Sequence, residues 1–191
     1  MEIKLENINK SFGDKHVLEN LSMTFNEGIT CVMGASGRGK TTLANLIAGL
    51  IEPDSGTISG PNELKVSYVF QEDRLLDWET ALSNVLFVTN PAKDYKEKAR
   101  QLLMQADLTD SIDKKVSKLS GGMKRRVCLC RALIANYDVL ILDEPFKGLD
   151  EGLKPKIMAM VKEHAKENKI VICITHDHSE AEYLGGTLVE L

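Results

Sequence analysis

The 191-residue sequence contains no long hydrophobic run. Its longest nearly apolar stretch, residues 43–51, is interrupted by Asn45 and falls far short of the ~20 residues a membrane-spanning helix needs. It carries no basic excess. The 28 Asp and Glu outnumber the 24 Lys and Arg, which argues against a protein that grips nucleic acid by bulk charge. Cysteine is scarce and unpatterned. Cys31, Cys128, Cys130 and Cys173 sit in apolar runs without zinc-knuckle or redox-pair spacing, and read as small buried hydrophobes in a reducing compartment. The start alternates apolar Ile3 and Leu5 with charged neighbours, unlike a basic segment followed by an apolar signal core. Repeats and low-complexity linkers are missing too. What remains is 43% apolar and 27% charged, close to a soluble globular average. That balance excludes a disordered, collagen-like or disulfide-stapled chain, and the length favours one domain with a sizeable core.

Hydrophobic patterning divides the chain by character. Residues 2–25 alternate about a Gly13-Asp14 turn, as antiparallel strands do. Residues 29–33 form a short apolar run, the pattern of a parallel strand covered on both faces. A Gly-rich loop and a helix over about 40–50 follow, then dense turn chemistry at Glu52-Pro53-Asp54-Ser55-Gly56 and a strand at 66–70. From about 77 to 136 the patterns are helical. Ala99, Leu102, Leu103 and Ala106 fall on one stripe, as do Met123, Val127, Cys130 and Ile134. A strand at 139–142, a helix near 153–166, a strand at 170–175 and a last strand at 187–191 complete the chain. Alternating strands and helices imply an α/β fold with a mostly parallel sheet.

The residues Gly34-Ala35-Ser36-Gly37-Arg38-Gly39-Lys40-Thr41 match the phosphate-binding loop pattern between strand and helix that the pattern requires. Glycines let backbone N–H groups turn inward around phosphate oxygens, and the helix N-terminus adds its positive dipole end. Lys40 is expected to reach the β- and γ-phosphates, and the Thr41 hydroxyl to coordinate Mg²⁺. Four aliphatics, Val139 to Leu142, are followed by Asp143 and Glu144. This places two carboxylates at the C-terminal end of a buried strand, where ligands of α/β sheets collect. Asp143 suits a Mg²⁺ shell, and Glu144 the polarisation of an attacking water.

Leu119-Ser120-Gly121-Gly122-Met123 stands ahead of an amphipathic helix. Its hydroxyl and glycine amides make a second anion site free of side-chain bulk. Read in order, these motifs resemble the nucleotide-binding subunit of ATP-binding cassette (ABC) transporters, most like the nitrate, sulfonate and taurine importer group. The resemblance implies a P-loop NTPase (RecA-like) core with an N-terminal antiparallel β part and an inserted α-helical subdomain. It assigns residues 34–42, including Thr42, to the Walker A loop, 139–143 to the Walker B strand and Glu144 to the catalytic carboxylate. Residues 119–123 become the signature motif that contacts ATP held by the other subunit. Gln71 resembles the Q-loop glutamine that senses Mg²⁺ and the attacking water, Asp150 lies in the D-loop, His176 is similar to the switch histidine, and Phe12 to the aromatic that stacks on adenine.

The expected organisation is one ABC ATPase domain over 1–191, with its core in 1–76 and 136–191 and a helical subdomain over about 77–135. ATP and Mg²⁺ are the implied cofactors. The implied partners are a membrane-spanning transporter subunit, a second copy in a head-to-tail ATP sandwich or a related ATPase subunit, and a substrate-binding protein, with no nucleic acid. The implied location is cytoplasmic, peripheral on the inner face of the cell membrane. An exporter ATPase is the alternative, and a soluble ABC protein outside transport a weaker one, since the stretch between Lys40 and Leu119 is too short for a long coiled coil. The end soon after His176 leaves no regulatory C-terminal domain to expect.

Other residues have plainer readings. Lys124, Arg125 and Arg126 read as a solvated helix face, with contact to a partner or to nucleotide phosphates as the alternative, and His16 and His164 as surface or packing residues. Trp78 reads either as subdomain core or as part of a groove for a membrane partner. Arg38 stands where the family usually has a small residue, and Asp77 where the importer group often has proline. Lys147 and Gly148 also depart from the family's usual small residues.

Overall fold

Polar and apolar residues alternate along β1 (Glu2–Phe12) and β2 (Lys15–Asn26), so that Ile3, Leu5, Ile8, Leu18 and Phe25 are buried, as the period of two demands. The two strands pair antiparallel. The computed structural model describes residues 1–60, 63–91, 93–165 and 168–191. The chain divides into two compact units. One comprises Met1–Tyr68, Tyr137–Glu144 and Ala165–Leu191, and the other Val69–Asn136 and Pro145–His164.

In the first unit, β3 (Gly28–Met33), β5 (Val66–Val69), β6 (Val139–Asp143), β7 (Ile170–Ile174) and β8 (Thr187–Glu190) form a sheet in the order β5-β6-β7-β3-β8. β3 pairs parallel with β7 and β8, and β6 with β7. Every residue of β6 and β7 is buried, the state expected of parallel strands covered on both faces. Helix α1 (Lys40–Ile47) sinks Leu43, Ala44, Leu46 and Ile47 into a core shared with Phe25, Val32, Ile141 and Ile172. Each buried Leu or Ile among them contributes roughly 1.5–3 kcal/mol. Because β3, β6 and β7 run parallel and in register, the phosphate loop, Asp143 and Thr175 all leave the same edge of the sheet.

Two elements of this unit depart from the sequence reading. The turn-rich segment after Pro53 continues as β4 (Ser55–Ser59), which pairs antiparallel on the free edge of β1. Helix α6 (His178–Leu184) opens after Asp177, whose side chain accepts the Ser179 N–H, and closes at Gly185 with φ 67°.

The second unit is built of α2 (Ala81–Leu86), α3 (Lys96–Gln105), α4 (Gly121–Ile134) and α5 (Lys154–His164). Ala99, Leu102, Leu103 and Ala106 are buried, as their spacing predicts. Val127, Cys130 and Ile134 of the α4 stripe are buried as well. Thr80 caps α2 by accepting the Ser83 N–H at 3.0 Å. Lys166, the expected end of the helix that becomes α5, lies outside the described residues.

The expected solvated face at 124–126 is a correction. Arg125 and Arg126 are buried. Arg126 donates to the carbonyls of Ala106 at 2.7 Å and Asp107 at 2.8 Å, supplying donors at the C-terminal end of α3, where helix carbonyls lack partners. Trp78 is 67% exposed, which removes it from the core of its unit.

Candidate functional site

Gly39 has φ 94° and precedes α1 with no side chain capping the helix. The first N–H groups of α1 are therefore left for an anion. A Cβ at Gly39 would fall 2.8 Å from Leu18 Cδ2, 3.0 Å from Val17 Cγ1 and 3.1 Å from Val17 O, and the φ of 94° would strain any residue but glycine. Lys40 is buried, and its Nζ donates to Gly34 O at 2.7 Å and Ala35 O at 2.9 Å. The ammonium is thus held by carbonyls of the loop it serves. Ala35, Ser36, Gly37 and Arg38 are exposed at the rim, and Thr42 is half-buried behind it.

Thr41, on the first turn of α1, donates its hydroxyl to Asp143 Oδ2 at 2.8 Å. Asp143 is 2% exposed. The next residue, Glu144, adopts φ 47°, a left-handed conformation that costs a non-glycine residue about 1 kcal/mol and recurs at functional sites. Its N–H still donates to Ile174 O at 2.9 Å, so the strand edge holds the backbone while the side chain approaches His176. Glu144 Oε1 lies 3.3 Å from His176 Nδ1. Beside this pair, a cavity of about 230 Å³ is lined by Met33, Gly34, Ala35, His176, His178 and Glu190, among others.

Phe12 ends β1 with its ring half exposed, and Lys10 Nζ lies 5.6 Å from the ring centroid. Asp54 steadies this hairpin, accepting from Lys10 Nζ at 2.7 Å and Ser11 N–H at 2.6 Å. The Lys10 hydrogen bond first, and the Ser11 N–H second, hold the Asp54 carboxyl below the usual carboxylate range. Sequence reading took Asp54 only as a turn residue.

The second unit carries the remaining motif residues. Ser120 caps α4, its Oγ accepting the Met123 N–H at 3.3 Å. Gly121 is exposed and open, whereas a Cβ on Gly122 would lie 3.0 Å from Gly148 O. Gly122 therefore packs against the segment that leads to Asp150. Asp150 is exposed, and its carbonyl accepts the N–H groups of Leu153 and Lys154, each at 2.9 Å. Gln71 is exposed, and its loop is held by one face of α4. Arg125 donates to Phe70 O at 2.5 Å and Pro145 O at 3.2 Å and lies 3.6 Å from Asp73 Oδ1. Cys128 Sγ donates to Asp73 O at 2.8 Å, and Arg131 to Arg74 O at 2.9 Å. Sequence reading missed that Arg125 holds the Gln71 loop, because its hydrogen bonds go to the main-chain carbonyls of Phe70 and Pro145, which no side-chain pattern announces.

The structure thus gathers the phosphate loop, Thr41, Asp143, Glu144 and His176 in the first unit, and Gln71, Ser120, Gly121, Gly122 and Asp150 in the second. The family model described as ABC transporter matches residues 18–147. The bicarbonate transport ATP-binding protein CmpD of Synechocystis sp. is 38% identical over 211 residues, covering 98% of this chain and 73% of that protein. The taurine import ATP-binding protein TauB of Pseudomonas fluorescens is 37% identical over 99% of this chain and 77% of its own length. Among solved structures, the ATP-binding cassette MJ0796, in a dimeric post-hydrolysis state bound to ADP and Pi, is similar with a TM-score of 0.86. It is 30% identical, over 99% of this chain and 94% of that one. The chain belongs to the ABC transporter family, as an ATP-binding subunit that hydrolyses ATP.

Proposed function

We propose that this ATPase drives import of a solute through a separate membrane-spanning subunit, with hydrolysis carried by the Glu144–His176 pair at the edge of the parallel sheet. The observation that carries the hydrolytic part is the 3.3 Å approach of Glu144 Oε1 to His176 Nδ1 beside the phosphate loop. Lys40 leaves its loop carbonyls for the β- and γ-phosphates, joined by the N–H groups of the loop and of the first turn of α1. Glu144 takes the proton of the attacking water, and His176 orients that carboxylate and meets the γ-phosphate. Phe12 stacks on the adenine.

The Thr41 hydroxyl and Asp143 carboxylate converge within one hydrogen bond, a pair of hard oxygen donors that suits Mg²⁺. These two residues would hold the ion, which would supply neutralisation of charge on the β- and γ-oxygens. Ser120, Gly121, Gly122 and Asp150 would serve the nucleotide held by a second copy or a related subunit in a head-to-tail dimer, as the dimeric neighbour supports. The taurine relative carries the name of an import system, which supports import, a substrate-binding protein in the same system, and a place on the cytoplasmic face of the membrane. Among the described residues no helix is long and apolar enough to cross a membrane.

Affinity purification of the tagged chain from detergent-solubilised membranes tests this coupling. An integral membrane subunit should co-purify, and its reconstitution in vesicles should give ATP-driven transport in the uptake direction. Co-purification with soluble proteins alone, or transport in the outward direction, would overturn the importer reading.

A further inference from the structure

The His176 side chain is 68% exposed, so packing does little to place it. Its position has to come from the backbone on either side. Thr175, 1% exposed, donates its hydroxyl to Glu180 Oε2 at 2.5 Å, and the same oxygen accepts the Asp177 N–H at 3.1 Å. The Thr175 N–H donates to Val32 O at 3.2 Å, which ties this segment to the strand that leads into the phosphate loop. A hydroxyl has one proton to give. With that proton directed at Glu180, its lone pairs face the Asp177 N–H, and the peptide that follows His176 is held by this oxygen.

Glu180 is itself fixed. It is 6% exposed, on the first turn of α6. Asp177 Oδ1 anchors that turn by accepting the Ser179 N–H at 2.8 Å and the Ser179 hydroxyl at 2.6 Å. A carboxylate is costly to bury, and this one is set against a hydroxyl one residue from the histidine that meets Glu144. We propose that Glu180 is a positioning residue for ATP hydrolysis, fixing the backbone pivot of His176 through the Thr175 hydroxyl. This rests on the assignment of His176 to the hydrolytic site.

Steady-state ATPase kinetics of the full chain test it, with Glu180→Ala, Thr175→Val and Thr175→Ser made alone and in a His176→Ala background. Glu180→Ala and Thr175→Val should each lower kcat about tenfold and leave KM for ATP within about twofold, because misplacement of a group that acts on the reacting atoms costs rate more than binding. Thr175→Ser, which keeps the hydroxyl, should restore kcat. In the His176→Ala background neither change should lower kcat further, the non-additivity expected of residues that act through one another. An equal further fall in that background would mark a general structural role and overturn the proposal. Full turnover of Glu180→Ala beside a slow His176→Ala would overturn it too, leaving the role of His176 intact. Full turnover of His176→Ala would remove the reading beneath it, and the proposal with it. Thr175→Val, nearly constant in volume, keeps the test decisive should Glu180→Ala fail to fold.

Discussion

In the first unit, Asp143, Glu144 and His176 sit at or just beyond the ends of β6 and β7, which pair in a main-chain ladder, and Thr41 sits on the first turn of α1. In the second, Gln71 sits on a loop with no ladder, and Ser120 opens a helix whose arginines reach out to hold that loop. The first set is positioned by backbone geometry, and the Gln71 loop of the second is held by the buried Arg125 and the half-buried Arg131. The lesson is that ligand-facing residues on a sheet edge need only short, local motifs. Those on a helical unit need long-range side-chain bonds to loop carbonyls, so the two units should respond differently to the loss of a single cation.

Removing Lys40 from the sheet-edge site should have the largest effect. Lys40→Ala leaves the strand ladders intact and deletes the charge proposed to meet the phosphates. Its affinity for ATP, measured by calorimetry, should fall about 10²-fold, roughly 3 kcal/mol for lost charge-assisted hydrogen bonds, with the melting temperature little changed. Retained affinity would contradict the role of the loop.

The reverse pattern is expected of Arg126. Arg126→Ala strips the donors from the Ala106 and Asp107 carbonyls and should lower stability by about 2–3 kcal/mol in chemical denaturation. Nucleotide binding by folded protein should persist. A loss of binding without a loss of stability would break the contrast between the units.

The smallest effect concerns the thiols of α4. Burial, its first cause, pushes Cys128 and Cys130 up to about 12, above the ~8.5 of a free thiol. The thiolate is the reactive form, so neither should react with a disulfide reagent at pH 8 until the second unit unfolds. The sign for stability follows from the raised value. The contribution is fully present below the unfolded value and is lost as pH rises toward 12, because the unfolded chain then binds fewer protons. Rapid native-state labelling of Cys128 or Cys130 would show that the helical unit opens more readily than its packing implies.

The same contrast explains what could be read from the sequence. The phosphate loop, the run Val139 to Glu144 and the strand before His176 were legible because composition, order and period all act within a few residues of the site. β4 was not, since Ser55 and Gly56 favour turns by themselves and the strand exists only by pairing with β1. Helix α6 carried a usable signal, an Asp177 cap with Glu180 three residues later and Gly185 at its end, but it spans only seven residues, too few for a period to stand out. Arg125 and Arg126 were taken as solvated because charge in a sequence is read as exposure. Their partners lie in loops distant in the chain, and no helical pattern names a carbonyl.

The assignment of hydrolysis to Glu144 is tested most directly by Glu144→Gln, which keeps the shape of the side chain and removes its basicity. ATPase turnover and ATP affinity would be measured on the same preparation, with size exclusion in the presence of ATP. Turnover should fall about 10²-fold or more, the scale of a lost general base, while affinity is retained and an ATP-bound dimer accumulates. Unchanged turnover would contradict the assignment of Glu144 as the base.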